Sequence, residues 1–199
     1  MEYLHSLFDT KLNENTAITV GKFDGVHKGH HLLAEDIISK KNEGLKSCLI
    51  TFTNSPRQTL NSDHSPSLIT NKERVFMLEH SGLDYLIECP FDECLMNTSP
   101  EDFIKFLCDN LNMKYMVSGS DFTFGKNGAG NSTLLKELSS VFGFEYNEIE
   151  KIKRNDRDIS SSYIREELTE GHIDVVNEML GYDYFVWGEV VHEIGRAHV

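Results

Sequence analysis

The chain is short of the features that would place it in a membrane, in a secreted scaffold or on a nucleic acid. No run approaches the roughly 18 apolar residues of a membrane span. The start, Met1-Glu2-Tyr3-Leu4-His5, has neither the basic residues nor the apolar stretch of a signal peptide. Cysteine is scarce and scattered. Cys48, Cys89, Cys94 and Cys108 form no Cys-x-x-Cys pair, which reads as reduced thiols rather than a zinc site or disulfide framework. Positive charge is scarce too: 19 Lys and Arg against 32 Asp and Glu leave a net charge of −13. That balance disfavours nucleic acid or an anionic membrane as the main partner. It leaves room for a small anion, because a few oriented N–H groups and cations can make one pocket locally positive. The expected location is the cytoplasm.

What is present is an ordinary globular composition, 39% hydrophobic and 26% charged, in a length that suits one α/β domain. Apolar strand-like runs at Thr16–Val20, Ser47–Phe52, Tyr85–Glu88, Met113–Val117, Phe144–Ile149 and Tyr184–Val191 alternate with helical segments. Those segments are His30 to about Asn42, Asn71–His80, Ser99 onward, Leu134–Val141, Ser160–Leu168 and Ile173–Leu180. Asn54–Ser67 holds two of the four prolines and reads as a long loop; Ile152–Asp158 reads as a charged one. The alternation predicts a doubly wound parallel sheet, whose ligand sits where loops leave the carboxyl ends of the strands.

Three segments carry chemistry. In the first, Gly21 to His30, a Gly-rich turn leads from a strand into a helix, and His27-Lys28-Gly29-His30 sets two imidazoles three residues apart. Such residues share a helix face, and a helix N-terminus offers free N–H groups and a positive dipole end to a phosphate. No Walker-type Gly-Lys-Ser/Thr is present, so the pair suits the α-phosphate of a nucleotide better than transfer of the terminal one. In the second, Ser160-Ser161-Ser162-Tyr163-Ile164-Arg165 opens a helix with hydroxyls and an arginine suited to outer phosphates. In the third, Gly119 to Lys126, Phe122 and Phe124 are placed to flank a planar ring, and Asp121 to accept a ring N–H or help hold a metal.

Taken in order and spacing, these segments resemble the adenylyltransferase module of bacterial bifunctional riboflavin kinase/FAD synthetases, within the His-x-Gly-His nucleotidyltransferase superfamily. Gly21–His30 meets the family's Gly-x-Phe-Asp-Gly-Val-His-x-Gly-His in full. Gly119–Gly125 meets Gly-x-Asp/Asn-Phe-x-Phe-Gly, and Ser160–Arg165 meets Ser-Ser-Thr-x-Ile-Arg with Ser162 in place of Thr. The resemblance implies a Rossmann-like fold and the reaction ATP + FMN → FAD + pyrophosphate, with Mg²⁺ arriving with ATP and no protein metal site. His27, His30 and Arg165 would be catalytic. Gly21, Phe23, Asp24, Gly29, Ser161, Ser162 and Arg165 would hold the nucleotide, and Asn54, Asp121, Phe122 and Phe124 the flavin. Another phosphorylated acceptor, or binding without catalysis, are the alternatives. Where the family reads Phe-x-Pro-His-Pro-Arg, this chain has Phe52-Thr53-Asn54-Ser55-Pro56-Arg57. The expected division is an FMN adenylyltransferase domain over 1–182 and a truncated start of a β-barrel riboflavin kinase domain over 183–199. The family's Pro-Thr-Ala-Asn segment is absent, and the ending, Glu193–Val199, is expected to be non-native.

Overall fold

A computed structural model of the protein describes residues 1–54 and 66–190. The expectations for Ser55 to Arg57 and for the final residues from Val191 lie outside these. Strand β2 (Thr16–Val20) is buried at all five positions, which is why it reads as an unbroken run rather than an alternation. It pairs in parallel with β3 (Lys46–Phe52) on one side and β5 (Met113–Gly119) on the other. Beyond β3 lies β4 (Tyr85–Cys89), then the short β1 (Glu2–Leu4); beyond β5 lies β6 (Glu145–Ile149). Among the described residues the order is β1-β4-β3-β2-β5-β6, all parallel. The chain winds from β2 outward to β4, then crosses back to start β5 beside β2. The switch point therefore lies between β2 and β5, at the mouths of the first and third motif loops.

Helices cover both faces. On one, α1 (Lys28–Ser39) buries Ala34 and Ile37, and α2 (Asn71–Glu79) buries Leu78, against Ala17, Leu49, Leu86 and Val117. On the other, α3 (Glu93–Asn97), α4 (Pro100–Asn110) and α5 (Ser132–Phe142) place Leu95, Ile104, Leu107 and Leu135 over Ile18, Ile50, Ile87 and Met116. A third, smaller core joins α6 (Ser161–Thr169) to α7 (Ile173–Leu180) through Ile164, Val176, Met179 and Leu180, with Leu68 added from the loop before α2. Each such fully buried side chain contributes about 1.5–3 kcal/mol relative to exposure. This cluster holds the serine-rich motif against the sheet's carboxyl end.

Two expectations need correcting. The described part of Tyr184–Val191 forms no strand. It lies as an extended segment against α2, where the Trp187 backbone N–H donates to Glu73 Oε1 at 2.7 Å and its ring meets Phe76 edge-on at 4.7 Å. Aromatic alternation gave it the look of a strand, but no described strand lies beside it to pair with. The charged loop at Ile152–Asp158 contains a small hairpin, β7 (Lys153–Arg154) and β8 (Arg157–Asp158). Asn155 and Asp156, both left-handed with φ of 48° and 62°, turn it. Helix α1 also starts two residues earlier than its periodicity suggests, so His27 becomes the residue that precedes its first turn.

Candidate active site

The helix starts differ in one respect that matters. Thr70, Ser99, Asn131 and Ser160 each accept a bond from a backbone N–H in the first turn of α2, α4, α5 and α6. His27 occupies the same place before α1 and makes no side-chain cap. The N-terminus of α1 thus keeps its N–H groups for something else.

The turn leading to it is strained. Phe23 and Val26 have φ of 51° and 39°, a region that a β-branched valine rarely adopts. Such a conformation costs about 1–3 kcal/mol and persists only where the surroundings enforce it. Here burial enforces it: Phe23 is 0% and Val26 2% exposed. The glycines leave the rings close room. A Cβ on Gly21 would sit 3.1 Å from the Phe23 ring, and one on Gly29 would sit 3.3 Å from the His27 ring.

Wedged in by this turn, the rings of His27 and His30 stack with centroids 3.7 Å apart at 18°, and Phe23 lies 4.8 Å from His30. The Nδ1 atoms of both are buried and have no hydrogen-bond partner among the described residues. Burial, reinforced by the nearby His31, pushes His27 down to about 4. Burial and then the charges of His27, His31 and Arg74 hold His30 well below the usual histidine range. Both rings are therefore neutral near pH 7, each with one N–H to give. The positive potential comes from the α1 dipole and from arginines, not from imidazolium.

Asp24 joins the first motif to the serine motif. Its side chain is 1% exposed. Oδ2 accepts from Arg165 Nη2 at 3.0 Å and Lys22 Nζ at 3.3 Å, and Oδ1 accepts from the Leu68 N–H at 2.8 Å. Ser161 Oγ donates to the Asp24 carbonyl at 2.8 Å, and Arg165 Nε donates to the Pro66 carbonyl at 2.7 Å. Ser162 and Arg165 line an open groove of about 420 Å³ with Glu166, Thr169 and Glu170. So Ser161 and Arg165 are tied to the turn that leads to His27 and His30, with the Asp24 carboxylate buried as the strut between them.

The third loop is arranged otherwise than its sequence suggests. Phe122 and Phe124 stack on each other at 5.6 Å and 10°, and Phe124 is buried against Phe103. A ring sandwiched between two others needs about 7 Å, twice a contact distance. The pair does not flank a planar ligand, because packing on α4 closes it. Asp121 pairs with Lys151 at 2.8 Å, and Lys151 also reaches Asp158 at 3.6 Å. Asn54 holds the Phe91 backbone with both ends of its amide, accepting from the N–H at 2.7 Å and donating to the carbonyl at 3.1 Å.

The family model for FAD synthetase matches residues 9–163. The chain belongs to the FAD synthetase family. Among its relatives, the FAD synthetase of Listeria monocytogenes is 32% identical over 96% of this chain and 78% of its own. The bifunctional riboflavin kinase/FMN adenylyltransferases of Buchnera aphidicola from Schizaphis graminum and of Bacillus subtilis are both 36% identical, over 97% and 89% of this chain. The chain spans only 63% and 57% of those two proteins. By fold it is similar to a Streptococcus pneumoniae crystal structure titled as a macrolide-efflux protein, at TM-score 0.80 and 23% identity, covering 92% of this chain and 70% of that one. Pantothenate synthetase of Thermus thermophilus follows at TM-score 0.55 and 13% identity, over 91% of this chain and 82% of that one. Both likenesses are of fold, and the Rossmann-like α/β sheet is common to them. No helix among the described residues is long and apolar enough to cross a membrane.

Within this chain, three contributors to the site escape a reading of the sequence. Arg74, on α2, is 3% exposed and donates to the carbonyls of Lys22 at 3.2 Å and Phe52 at 2.9 Å. Its one signal is placement four residues before the buried Leu78, on the apolar stripe. Tyr182, after α7, donates to the Gly25 carbonyl at 2.6 Å, and Tyr184 to the Leu68 carbonyl at 3.0 Å. Neither tyrosine has a local signal at all.

Proposed function

We propose that this chain transfers the AMP group of ATP to FMN, giving FAD and pyrophosphate. An oxygen of the FMN phosphate attacks the α-phosphorus of ATP. The bond from that phosphorus to the oxygen bridging to the β-phosphate breaks, and pyrophosphate carries off the electron pair. A phosphate monoester has its second pKa near 6, so FMN is already a dianion near neutrality and no general base is needed.

The observation that carries this reading is the stacked histidine pair. Two neutral imidazoles, both with unpartnered buried nitrogens, stand at the one long sheet-facing helix start, among the described residues, that lacks a side-chain cap. Their N–H groups suit the α-phosphate oxygens, with bonds that strengthen as charge gathers in the transition state. Arg165, Ser162 and the free amides at the start of α6 suit the β- and γ-phosphates. Ser161, whose hydroxyl already holds the Asp24 carbonyl, is a brace for that contact. Gly21, Phe23 and Gly29 shape the nucleotide's seat. Mg²⁺ enters with ATP as part of the substrate. The flavin lies toward Asp121 and the outer face of Phe122, and the enzyme works in the cytoplasm.

The test is pyrophosphate release from ATP and Mg²⁺ with and without FMN, FAD being identified by chromatography and His27→Ala serving as control. FAD formed by the parent and not by the variant supports the reading. A folded, ATP-binding protein that makes no FAD refutes it, and release with a different phosphorylated acceptor would reassign the substrate.

A further inference from the structure

Behind the histidine pair lies a buried ion pair that the reaction as described does not use. Arg74 Nη2 meets Glu88 Oε1, and both side chains are 4% exposed. Glu88 is the one charge in the otherwise uncharged strand β4, and its other oxygen accepts from the Tyr3 hydroxyl on the edge strand β1. Arg74 also donates to Asn71 Oδ1 at 3.0 Å, and its buried Nε has no partner among the described residues. A buried ion pair is rarely retained for stability, since hydrophobic residues of like volume serve as well or better. What Arg74 does with its fork is specific: it ties the Lys22 carbonyl, in the histidine turn, to the Phe52 carbonyl at the end of β3.

We propose that Arg74, oriented by Glu88 and Tyr3, is a positioning residue for adenylyl transfer, fixing the turn that seats His30 and setting the charge behind that ring. The proposal rests on the reaction assigned above. Among the described residues the groups facing His30 are His31 from its own helix, His27 just before that helix, the Phe23 ring from the turn and Arg74 from α2. Asp24 and Asp121 act on His27. Arg74 is thus the cation from α2 that opposes protonation of His30, and Glu88 is the carboxylate that holds it in place.

The two halves of the pair therefore have different effects. Arg74→Gln removes the opposing cation and favours imidazolium at His30. Glu88→Gln leaves that cation in place. NMR titration of the His30 ring, without substrates, reads this directly whatever the enzyme's acceptor. The expected result is an upward shift in the first variant and none upward in the second. Equal shifts in the same direction would overturn the proposal. In turnover assays, Arg74→Gln/Glu88→Gln, which removes both charges and is the variant best able to fold, is expected to lower kcat about tenfold with KM for ATP within twofold. Undiminished kcat there, or a change in KM alone, would also overturn it. Arg74→Lys keeps the charge and loses the fork. It is expected to leave the His30 titration in place while still lowering kcat, and a parent-like kcat in it would remove the turn-fixing half of the proposal. If the parent makes no FAD, the assigned reaction fails and the titration alone decides Arg74.

Discussion

Arg165 and Asp24 stand 141 residues apart in the chain and meet at 3.0 Å, one guanidinium nitrogen on one buried carboxylate oxygen. The contact fixes where the serine-rich helix start lies relative to the histidine turn, and the same carboxylate fixes the Leu68 backbone. Asp24→Asn keeps the shape and weakens both. Hydrogen bonds to charged groups are worth about 1.5–3 kcal/mol, so a loss of stability in that range is expected, with a rise in KM for ATP. Urea denaturation and steady-state kinetics check it, and unchanged values in both would mean that α6 and the Pro66 carbonyl place Arg165 without Asp24.

His27→Ala and His30→Ala remove the proposed donors to the α-phosphate. Loss of one transition-state donor typically costs about 10²–10³-fold in kcat. Turnover is expected to fall by that much while calorimetric binding of ATP stays within a few-fold. Binding and turnover falling together would make the histidines ground-state ligands.

Acid is expected to destabilise the protein above the carboxylate range. His27 is pushed down to about 4 in the fold by burial, with the charge of His31 adding to it, against 6.5 unfolded. The unfolded chain therefore takes up the proton first. Stability is therefore full above about pH 6.5 and falls as pH drops from there toward 4, by about 3 kcal/mol at 1.36 kcal/mol per unit. His30 acts in the same direction. Thermal melts across pH 7 to 4.5 should show the decline, and it should flatten in His27→Ala/His30→Ala. An equally steep decline in that variant would place its origin elsewhere.

Gly125 turns the third loop at φ +70° against Pro100, and a Cβ there would lie 2.7 Å from the proline nitrogen. Gly125→Ala combines a left-handed alanine with a backbone clash and is expected to cost about 1–3 kcal/mol. A parent-like melting temperature would show that the loop slides freely off α4.

Tyr182 and Tyr184 set a practical limit for the folded unit. A fragment ending at Gly181 loses both tyrosine bonds to the site loops. At about 0.5–1.5 kcal/mol each, and about 2–4 °C per kcal/mol for a domain of this size, its melting temperature should fall by roughly 2–12 °C. A fragment ending at Trp187 keeps both bonds and should melt above the first by that amount. Equal melting temperatures for the two fragments would remove the segment from the fold.

Central strands and amphipathic helices were legible because burial writes itself into local pattern: Thr16–Val20 is apolar or small throughout, and α4 repeats its apolar residues at helical spacing. Three-residue β1 and five-residue α3 are too short for a period to declare itself, and the first exists only through its pairing with β4. The same division runs through the site. His27 and His30 are three residues apart and their stacking follows from one helix start. The roles of Asp24, Arg74 and Tyr182 depend on partners that only the folded sheet supplies. Phe122 and Phe124 looked open because nothing in their own loop records the packing of Phe103.

The span of those contacts has a consequence for synthesis. The sheet's central strands are all made by residue 119, but the bonds to Asp24 and Gly25 come from Ser161, Arg165 and Tyr182, over separations of 137, 141 and 157 residues. Long-range closures of this kind are the slow ones in folding. On the ribosome the histidine turn must wait for these last bonds until residue 182 has emerged. The nascent protein acquires its architecture well before it acquires its chemistry.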